Sequence, residues 1–390
     1  MTGIKTERKN RNVSGKNAGV RPSVFSFFSG AGFLDLGFET NGFDIVFVNE
    51  FHKPFMDIYR YSREKMKLAG PEYGWHNCDI SVFLEGSGAA RLKGMMKKAE
   101  AGAGITGFIG GPPCPDFSVA GKNRGREGEN GKLSGIYVEL ICRRKPSFFL
   151  FENVKGLWRT AKHRAFYEEI KQKLQKNGYA VTERLINSIE YGVPQNRERI
   201  IMIGFKRNLL RGMNVKPGPG FKFPWEDTVI YKSGEILSRN WPDVDKFGED
   251  SVLPSRDDIQ TELTVEYWFR KNGVYSHPNA DMYFRPREGI KKFLAIQEGD
   301  DSKKSFKRLH RWRYSPAAAY GNNEVHLHPY KARRISVSEA LAIQSLPEKF
   351  VIPDDTTLTN AFKSIGNGVP FLAAAAVAES LIEFIGGKKS

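Results

Sequence analysis

Cysteine is scarce. The 390 residues hold three, Cys78, Cys114 and Cys142, an odd number with no CxxC pair and no histidines at zinc-ligand spacing. That argues against a disulfide framework and a structural metal. Long apolar runs are missing as well: no stretch approaches the roughly 20 uninterrupted apolar residues that span a bilayer, so no membrane partner is expected. Residues 1–22 are polar and basic without the apolar centre of a secretory signal, and they read as a disordered arm. Acids are in deficit. Forty-four Asp plus Glu against 60 Lys plus Arg leaves a net charge of +16, a surplus that favours partners carrying many phosphates, nucleic acid first among them.

From Ser23 onward, short apolar runs alternate with helix-like stretches: VFSFF (24–28), DIVFV (44–48), ITGFI (105–109), SFFLF (147–151), AVTERLI (180–186) and RIIMIGF (199–205). This alternation predicts an α/β domain with a largely parallel sheet. In open sheets of this kind ligands bind beyond the carboxyl ends of the strands, where Gly30, Gly32, Glu50, Cys114 and Glu152 all fall. After Phe205 the composition shifts to proline, glycine and scattered aromatics until about residue 312, a candidate second domain. Within it KKSFKRLHRWR (303–313) carries six Lys or Arg and no acid, interleaved with Phe306, His310 and Trp312. It reads either as a solvated face or as a phosphate-tracking surface. Beyond it, ISVSEALAIQSLP and VPFLAAAAVAESLIEFIGG read as helices.

FSGAGFLDLG (28–37) places a glycine turn between a strand and a helix, but Asp35 stands where a dinucleotide fingerprint needs its third glycine. A nicotinamide or flavin site is thereby disfavoured. Glu50, 18 residues after Gly32, can accept from both hydroxyls of a ribose, and Asp79 in NCDI can accept from an adenine amino group. Together these describe an adenosyl pocket. In FIGGPPCPDFSVAG, Pro112, Pro113 and Pro115 lack N–H groups and fix φ, so Cys114 sits on a stiff turn outside any sheet ladder. Core filler needs no such scaffold, whereas a nucleophile does. Glu152, closing an apolar run, faces a partly desolvated crevice that raises its pKa. QNRERI (195–200) predicts a strand start with Arg197 and Arg199 on one face, either as surface salt bridges or as holders of a substrate phosphate or carbonyl.

These motifs, in this order, resemble the cytosine-C5 DNA methyltransferases, the modification enzymes of bacterial restriction systems. FSGAGFLDLGFE resembles the family's first cofactor motif, GGPPCPDFS its catalytic motif, FENV its acidic motif and QNRERI its arginine motif, while RRISVSEALAIQSLP and NAFKSIGNGVP resemble its two C-terminal motifs. The likeness covers residues 24–205 and about 315–380. It implies a Rossmann-like S-adenosylmethionine-dependent methyltransferase domain with a mixed, mostly parallel sheet (23–205), a smaller irregular target-recognition domain (206–312) and a C-terminal segment returning to the first domain (313–390).

By the same resemblance, Cys114 attacks C6 of a flipped-out cytosine, Glu152 engages N3, and Arg197 and Arg199 help hold the base and the loop. S-adenosylmethionine, leaving as S-adenosylhomocysteine, is placed against Phe28, Gly30, Ala31, Gly32, Glu50, Phe51, Asp79, Ile80, Pro113, Leu133, Asn367 and Val369. Double-stranded DNA is placed against Ser118, Lys122 and Arg124 in and before the lid GKNRGREGENGKL (121–133); the charge of the basic run, apart from the resemblance, adds Lys303, Lys304, Lys307, Arg308, Arg311 and Arg313 as expected DNA contacts. The implied setting is a cytoplasmic, nucleoid-associated monomer with a cognate restriction endonuclease as companion. Three positions depart from the family pattern: Asn130 in the lid and Ala342 in the ninth motif, each where many members have arginine, and Gly368 in place of a serine. The rival readings are a tRNA methyltransferase of the same family, disfavoured by a recognition region of about a hundred residues, and a non-catalytic DNA-binding protein, disfavoured by the intact Cys114, Glu152 and both arginines. A thiol hydrolase would need a histidine base, and none of the seven histidines lies in the strand-end motifs.

Overall fold

The computed structural model describes residues 21–113, 129–159, 161–218, 221–286, 290–303, 305–318, 320 and 325–387. The six apolar runs become strands, with two short ones added: β1 (Ser23–Phe27), β2 (Asp44–Asn49), β3 (Trp75–His76), β4 (Thr106–Gly110), β5 (Phe148–Val154), β6 (Tyr179–Asn187), β7 (Gln195–Asn196) and β8 (Glu198–Lys206). Two-residue strands β9 (Lys307–Arg308), β10 (Ser315–Pro316) and β11 (His326–Leu327) follow. The helices of the first half are α1 (Phe33–Glu39), α2 (Lys53–Met66), α3 (Gly86–Ala103), α4 (Glu129–Arg144), α5 (Lys155–Arg159) and α6 (Ala161–Lys176). Those of the second half are α7 (Arg207–Gly212), α8 (Ser233–Leu237), α9 (Val265–Lys271), α10 (Ile290–Ala295), α11 (Val337–Ile343), α12 (Leu358–Asn367) and α13 (Phe371–Ile385).

Seven strands form one sheet in the order β3-β2-β1-β4-β5-β8-β6. All its pairings are parallel except those of β8, which runs antiparallel to β5 and β6. The sequence order reverses between β1 and β4, which opens a crevice at their carboxyl ends. Helices cover both faces, so central strands are apolar on both sides. In β5, Phe148 and Leu150 enter one core and Phe149 and Phe151 the other, the two-residue alternation of a strand. One core is closed by α3, α4 and α6, the other by α2 and α13.

Helix α13 packs so closely on α1 that a Cβ on Gly37 would lie 2.6 Å from the Cβ of Ala374. Asn41 Nδ2, just past α1, donates to the carbonyl of Ala375 at 3.0 Å. The stretch Leu358–Ile385 has the length and composition of a membrane span, with half of its most apolar window buried. It is two helices, broken at Gly368–Pro370, and α13 lies on the sheet. Helix α11 begins with a capping box, Ser336 and Glu339 each bonding the other's backbone N–H.

Residues assigned by composition to the second region spread over several cores. Phe221 and Phe223 join the cluster beneath the sheet. Val265, Trp268, Phe269 and Leu309 share a third cluster with Phe33 and Leu36 of α1 and with α11 and α12. Small clusters around Ile236 and around Phe293 are local. Arg21, within the segment read as an arm, is anchored by Asp44 at 3.0 Å; residues 1–20 lie outside the described residues.

Candidate active site

The turn after β1 is unusually strained for its length. Phe28, Gly30 and Gly32 have φ values of 51°, 57° and 83°, all left-handed, a conformation that glycine adopts without steric cost and phenylalanine does not. A Cβ on Gly32 would run into the Tyr59 ring, while one on Gly30 would meet nothing within 4 Å, so the space over Gly30 is open. Glu50, at the end of β2, closes the turn from the side: Oε2 accepts from Gly30 N at 2.9 Å and Oε1 from His52 N at 2.7 Å. Burial pushes its carboxyl above the ordinary range. Ser29 Oγ is buried there with no hydrogen-bond partner among the described residues.

The remaining expected cofactor residues surround this turn from four other elements. Phe51 is 70% exposed, and Asn77 Nδ2 holds the carbonyls of Glu50 and Phe51 at 2.8 and 2.9 Å. Asp79 caps a single 3-10 turn by accepting from Ser81 N at 2.8 Å, and Ile80 behind it is buried. Ile80 shares one cluster with Phe28 and with Leu133 of α4, and the Phe28 ring meets Tyr137 edge-on at 6.0 Å. Asn367 ends α12 exposed, Val369 is buried, and Ala31 lies beneath the turn. Gly368 is explained here: a Cβ would collide with the Phe33 ring beside the turn. Ala342 is fully buried in the third cluster, which leaves no room for an arginine. The side chain of Asn130 is outside the described residues.

Asp35, legible in the sequence only as a missing glycine, has a role of its own. Its carboxyl is fully buried and accepts from Ser26 Oγ of β1 and Tyr59 OH of α2, both at 2.8 Å. It thus ties β1, α1 and α2 together beneath the turn, with the Tyr59 ring under Gly32. Desolvation raises its pKa from 3.8 to about 6 against the two hydrogen bonds and Arg63. The folded chain therefore holds this proton more tightly than the unfolded chain. Its stabilising contribution is full below about pH 4 and is lost as pH rises through about 6, by about 3 kcal/mol in all. Asp35→Asn is expected to flatten that part of the stability profile in urea unfolding between about pH 4 and pH 7; an unchanged profile would show that Asp35 ionises without cost.

At the ends of β4 and β5, Gly111, Glu152 and Arg199 come together. Strand β5 runs past the apolar stretch to Val154, so Glu152 lies within it, opposite Ile201 of β8. Its carboxyl is buried and pairs with Arg199 Nε at 3.0 Å. Desolvation raises its pKa although Arg199 and Arg197 pull it down. Gly111, following β4, faces this group so closely that a Cβ would sit 2.5 Å from Glu152 Oε2. Asn153 Nδ2 points back to the carbonyl of buried Pro112 at 3.4 Å, and Pro113 is exposed. The chain is thus tied to Asn153, the neighbour of Glu152, two residues before Cys114. Cys114 itself lies outside the described residues, as do Ser118, Lys122, Arg124 and Lys304. The other two cysteines are free, and burial pushes both thiols up.

Two expectations from the sequence need correction. Arg197 and Arg199 do not share a strand face. Asn187 Oδ1 accepts from Arg197 N at 3.2 Å and breaks the strand there, leaving β7 on one side and β8 on the other. Arg197 turns inward, buried, and its guanidinium donates to the carbonyls of Ala318, Gly366 and Gly368 at 2.5, 2.6 and 3.1 Å. It holds the C-terminal segment beside the site, while Arg199 alone grips Glu152.

The arginines of 303–313 are not a phosphate surface either. Arg308 is fully buried, donating to the carbonyls of Ile296, Phe293, His328 and Lys331. Arg311 is buried on Glu298 at 2.7 Å, and Arg313 reaches Asp301 at 3.3 Å and the Gly299 carbonyl at 2.8 Å. The neutralising acids come from outside the run. Lys303 remains exposed and Lys307 half-buried on β9.

A parallel sheet with one antiparallel insertion, and a glycine turn facing an acidic crevice at its switch point, define an α/β methyltransferase. The sequence matches the family described as C-5 cytosine-specific DNA methylase over residues 23–383, and the chain belongs to that family: it is a DNA cytosine-5 methyltransferase. It is 54% identical over 376 residues to the Type II methyltransferase M.NmeDI of Neisseria meningitidis serogroup C, covering 96% of this chain and 87% of that one. It is 30% identical over 375 residues to the Type II methyltransferase M.FnuDI of Fusobacterium nucleatum, covering 94% and 96%. Among solved structures, an E. coli prophage protein assigned as a DNA modification methyltransferase aligns with a TM-score of 0.61 at 20% identity, covering 94% of this chain and 99% of that one. The S. pombe Dnmt2 methyltransferase aligns at 0.56 and 14%, covering 93% and 98%. These structural likenesses speak for the fold.

Proposed function

We propose that the chain methylates C5 of a cytosine lifted out of duplex DNA, through a covalent bond between Cys114 and C6, as the modification half of a restriction-modification system. The observation that carries this reading is the buried Glu152–Arg199 pair set against Gly111 and Pro112, from which the chain passes directly to Cys114. The adenosyl turn fits S-adenosylmethionine: Ser29 Oγ lacks a partner among the described residues, the space over Gly30 is open, and the buried Glu50 carboxylate stands beside it. Phe28, Ala31, Gly32, Phe51, Asp79, Ile80, Pro113, Leu133, Asn367 and Val369 complete that pocket. Bound there, S-adenosylmethionine supplies an electrophilic methyl group.

The residues of the chain perform the rest. Cytosine C5 is a poor nucleophile until the Cys114 thiolate adds to C6, forming a C–S bond and sending the electron pair into the ring. Glu152, whose pKa burial raises, delivers a proton to N3 and so absorbs that charge, leaving an enamine whose C5 takes the methyl group. Loss of the C5 proton to water then expels the thiolate, and N3 returns its proton to the Glu152 carboxylate, which restores the aromatic ring and the starting acid. Arg199 keeps the Glu152 carboxyl oriented, and its positive charge limits how far burial can raise the pKa. Lifting the base out costs a few kcal/mol, offset by contacts in the pocket.

The test is expression of the chain in cells free of cytosine methylation, followed by base-resolution sequencing of methylcytosine. A single recurrent sequence context in DNA is expected. Methyl label from the cofactor appearing in RNA and not in DNA would overturn the reading in favour of the tRNA-modifying alternative.

A further inference from the structure

With Arg308, Arg311 and Arg313 engaged inside the protein, the phosphates of a duplex must be met by other cations. Residues 283–286 form a wall between two adjoining hollows. One, of about 420 Å³, is lined by Tyr283, Arg285, Lys331 and Arg333, with Glu249 as its single acid among the described residues. The other, of about 330 Å³, is lined by Phe284, Arg285, Lys292, Phe306 and Arg334, with no acid among the described residues. Two of these cations are neutralised: Lys331 by Asp250 at 3.0 Å and Arg333 by Glu339 at 2.7 Å.

Arg285 and Arg334 are different. Arg285 is exposed, lies over the Tyr283 ring at 5.2 Å and, among the described residues, reaches only its hydroxyl, at 3.4 Å. Arg334 lies between two rings, Phe284 at 5.1 Å and Phe306 at 5.9 Å, and has no carboxylate partner among the described residues. Burial pushes its pKa down, with no acid among the described residues to offset it. A half-buried guanidinium set over two rings without an anion gains from a ligand that supplies one. Its planar fork is set to take two oxygens of a phosphate at once.

The rings also link the cleft to the chemistry. Phe284 stacks on Phe362 of α12 at 5.6 Å, and Tyr320 meets Phe362 at 5.4 Å. Helix α12 ends at Gly366–Gly368, whose carbonyls hold Arg197. A strand gripped in the cleft is therefore held in fixed relation to the Glu152 site.

We propose that this cleft seats the sugar–phosphate backbone of the DNA substrate away from the target base, with Arg285 and Arg334 as the gripping groups and Lys292 as a third contact. The inference rests on the reading that the chain acts on duplex DNA. Backbone phosphates recur about every 3.4 Å of rise along one strand, so a strand laid along the cleft presents successive phosphates to Arg285 and Arg334. Phosphate contacts carry no sequence information, and their removal should weaken all duplexes alike.

The experiment uses the full chain and its R285A, K292A, R334Q and R334K variants. Affinity is measured from about 50 to 200 mM salt for one duplex carrying the methylated sequence context and one lacking it. Each neutral variant is expected to lower the slope of log affinity against log salt by about 0.9, which changes the weakening over that range about threefold, equally on both duplexes. R334K keeps the charge and is expected to keep most of the slope; affinity for S-adenosylmethionine stays as in the parent in every variant, as a check on folding. Parental slopes in all the neutral variants, or losses confined to the specific duplex, would overturn the assignment. A parent that shows no salt slope on any duplex would instead sink the DNA reading itself.

Discussion

Cys114→Ser is expected to reduce methyl transfer by more than about a thousandfold while leaving affinity for DNA and S-adenosylmethionine within a few-fold of the parent. A serine hydroxyl at neutral pH is ionised far less than a thiol and adds far more slowly to an electron-poor ring carbon. Neither remaining cysteine can substitute, since Cys142 is buried in the core and burial raises both thiols away from the reactive thiolate form. The chemistry can also be trapped. With 5-fluorocytosine at the target position, C5 carries fluorine where a proton must leave, so the adduct forms, accepts the methyl group and cannot eliminate. A complex between parent enzyme and DNA that survives denaturation is expected, and none with Cys114→Ser. Turnover of the serine variant within tenfold of the parent, or no stable complex with active parent enzyme, would contradict the addition–elimination scheme.

Glu298→Ala is expected to destabilise the fold by about 3–5 kcal/mol, the usual cost of stranding one member of a buried ion pair. Both Glu298 oxygens bond the Arg311 guanidinium, at 2.8 and 2.7 Å, and Oε1 also accepts from Arg311 N at 2.9 Å. Glu298 and Arg311 side chains are 1% and 5% exposed, so water cannot replace the missing carboxylate. Such a loss is a large share of the roughly 5–15 kcal/mol that holds a typical domain folded. The double change Glu298→Leu with Arg311→Met removes both charges and is expected to recover most of it. Urea unfolding of the parent and the two variants decides the matter; a single Glu298→Ala within about 1 kcal/mol of the parent would mean that solvent reaches Arg311.

The parallel sheet and the convergence of Gly30, Glu50 and Glu152 on one crevice were legible because each depends on a local signal, an apolar run ended by a glycine or an acid. The antiparallel run of β8 left no local signal and was implied only by the resemblance, through its mixed sheet, since the pairing of β5 with β8 is decided by tertiary contacts. Arg197 was misplaced because the residue that interrupts its strand, Asn187, lies ten positions earlier in the sequence. The run at 303–313 misled for a related reason: its counter-charges sit at Glu298 and Asp301, just outside the window, and at Asp245, which pairs with His310. Asp35 carried no signal beyond a missing glycine; Tyr59, its partner, is 24 residues away on another helix.

The clasp between α1 and α13 sets a schedule for the newborn polypeptide. Asn41 and Ala375 are 334 residues apart in sequence yet hydrogen-bonded, so at ribosomal speeds of about 5–20 residues per second roughly 15 to 70 seconds pass between making the two. During that interval the cofactor turn exists without the helix that backs it. The sheet face carrying Val24, Ile45 and Phe148, later covered in part by α13, stands bare. Contacts this distant along the chain are slow to form and leave apolar surface exposed meanwhile. The nascent enzyme therefore cannot complete its cofactor pocket during most of its own translation, and a message cut short before residue 371 would release a chain with an uncovered sheet, a natural client for chaperones and proteases.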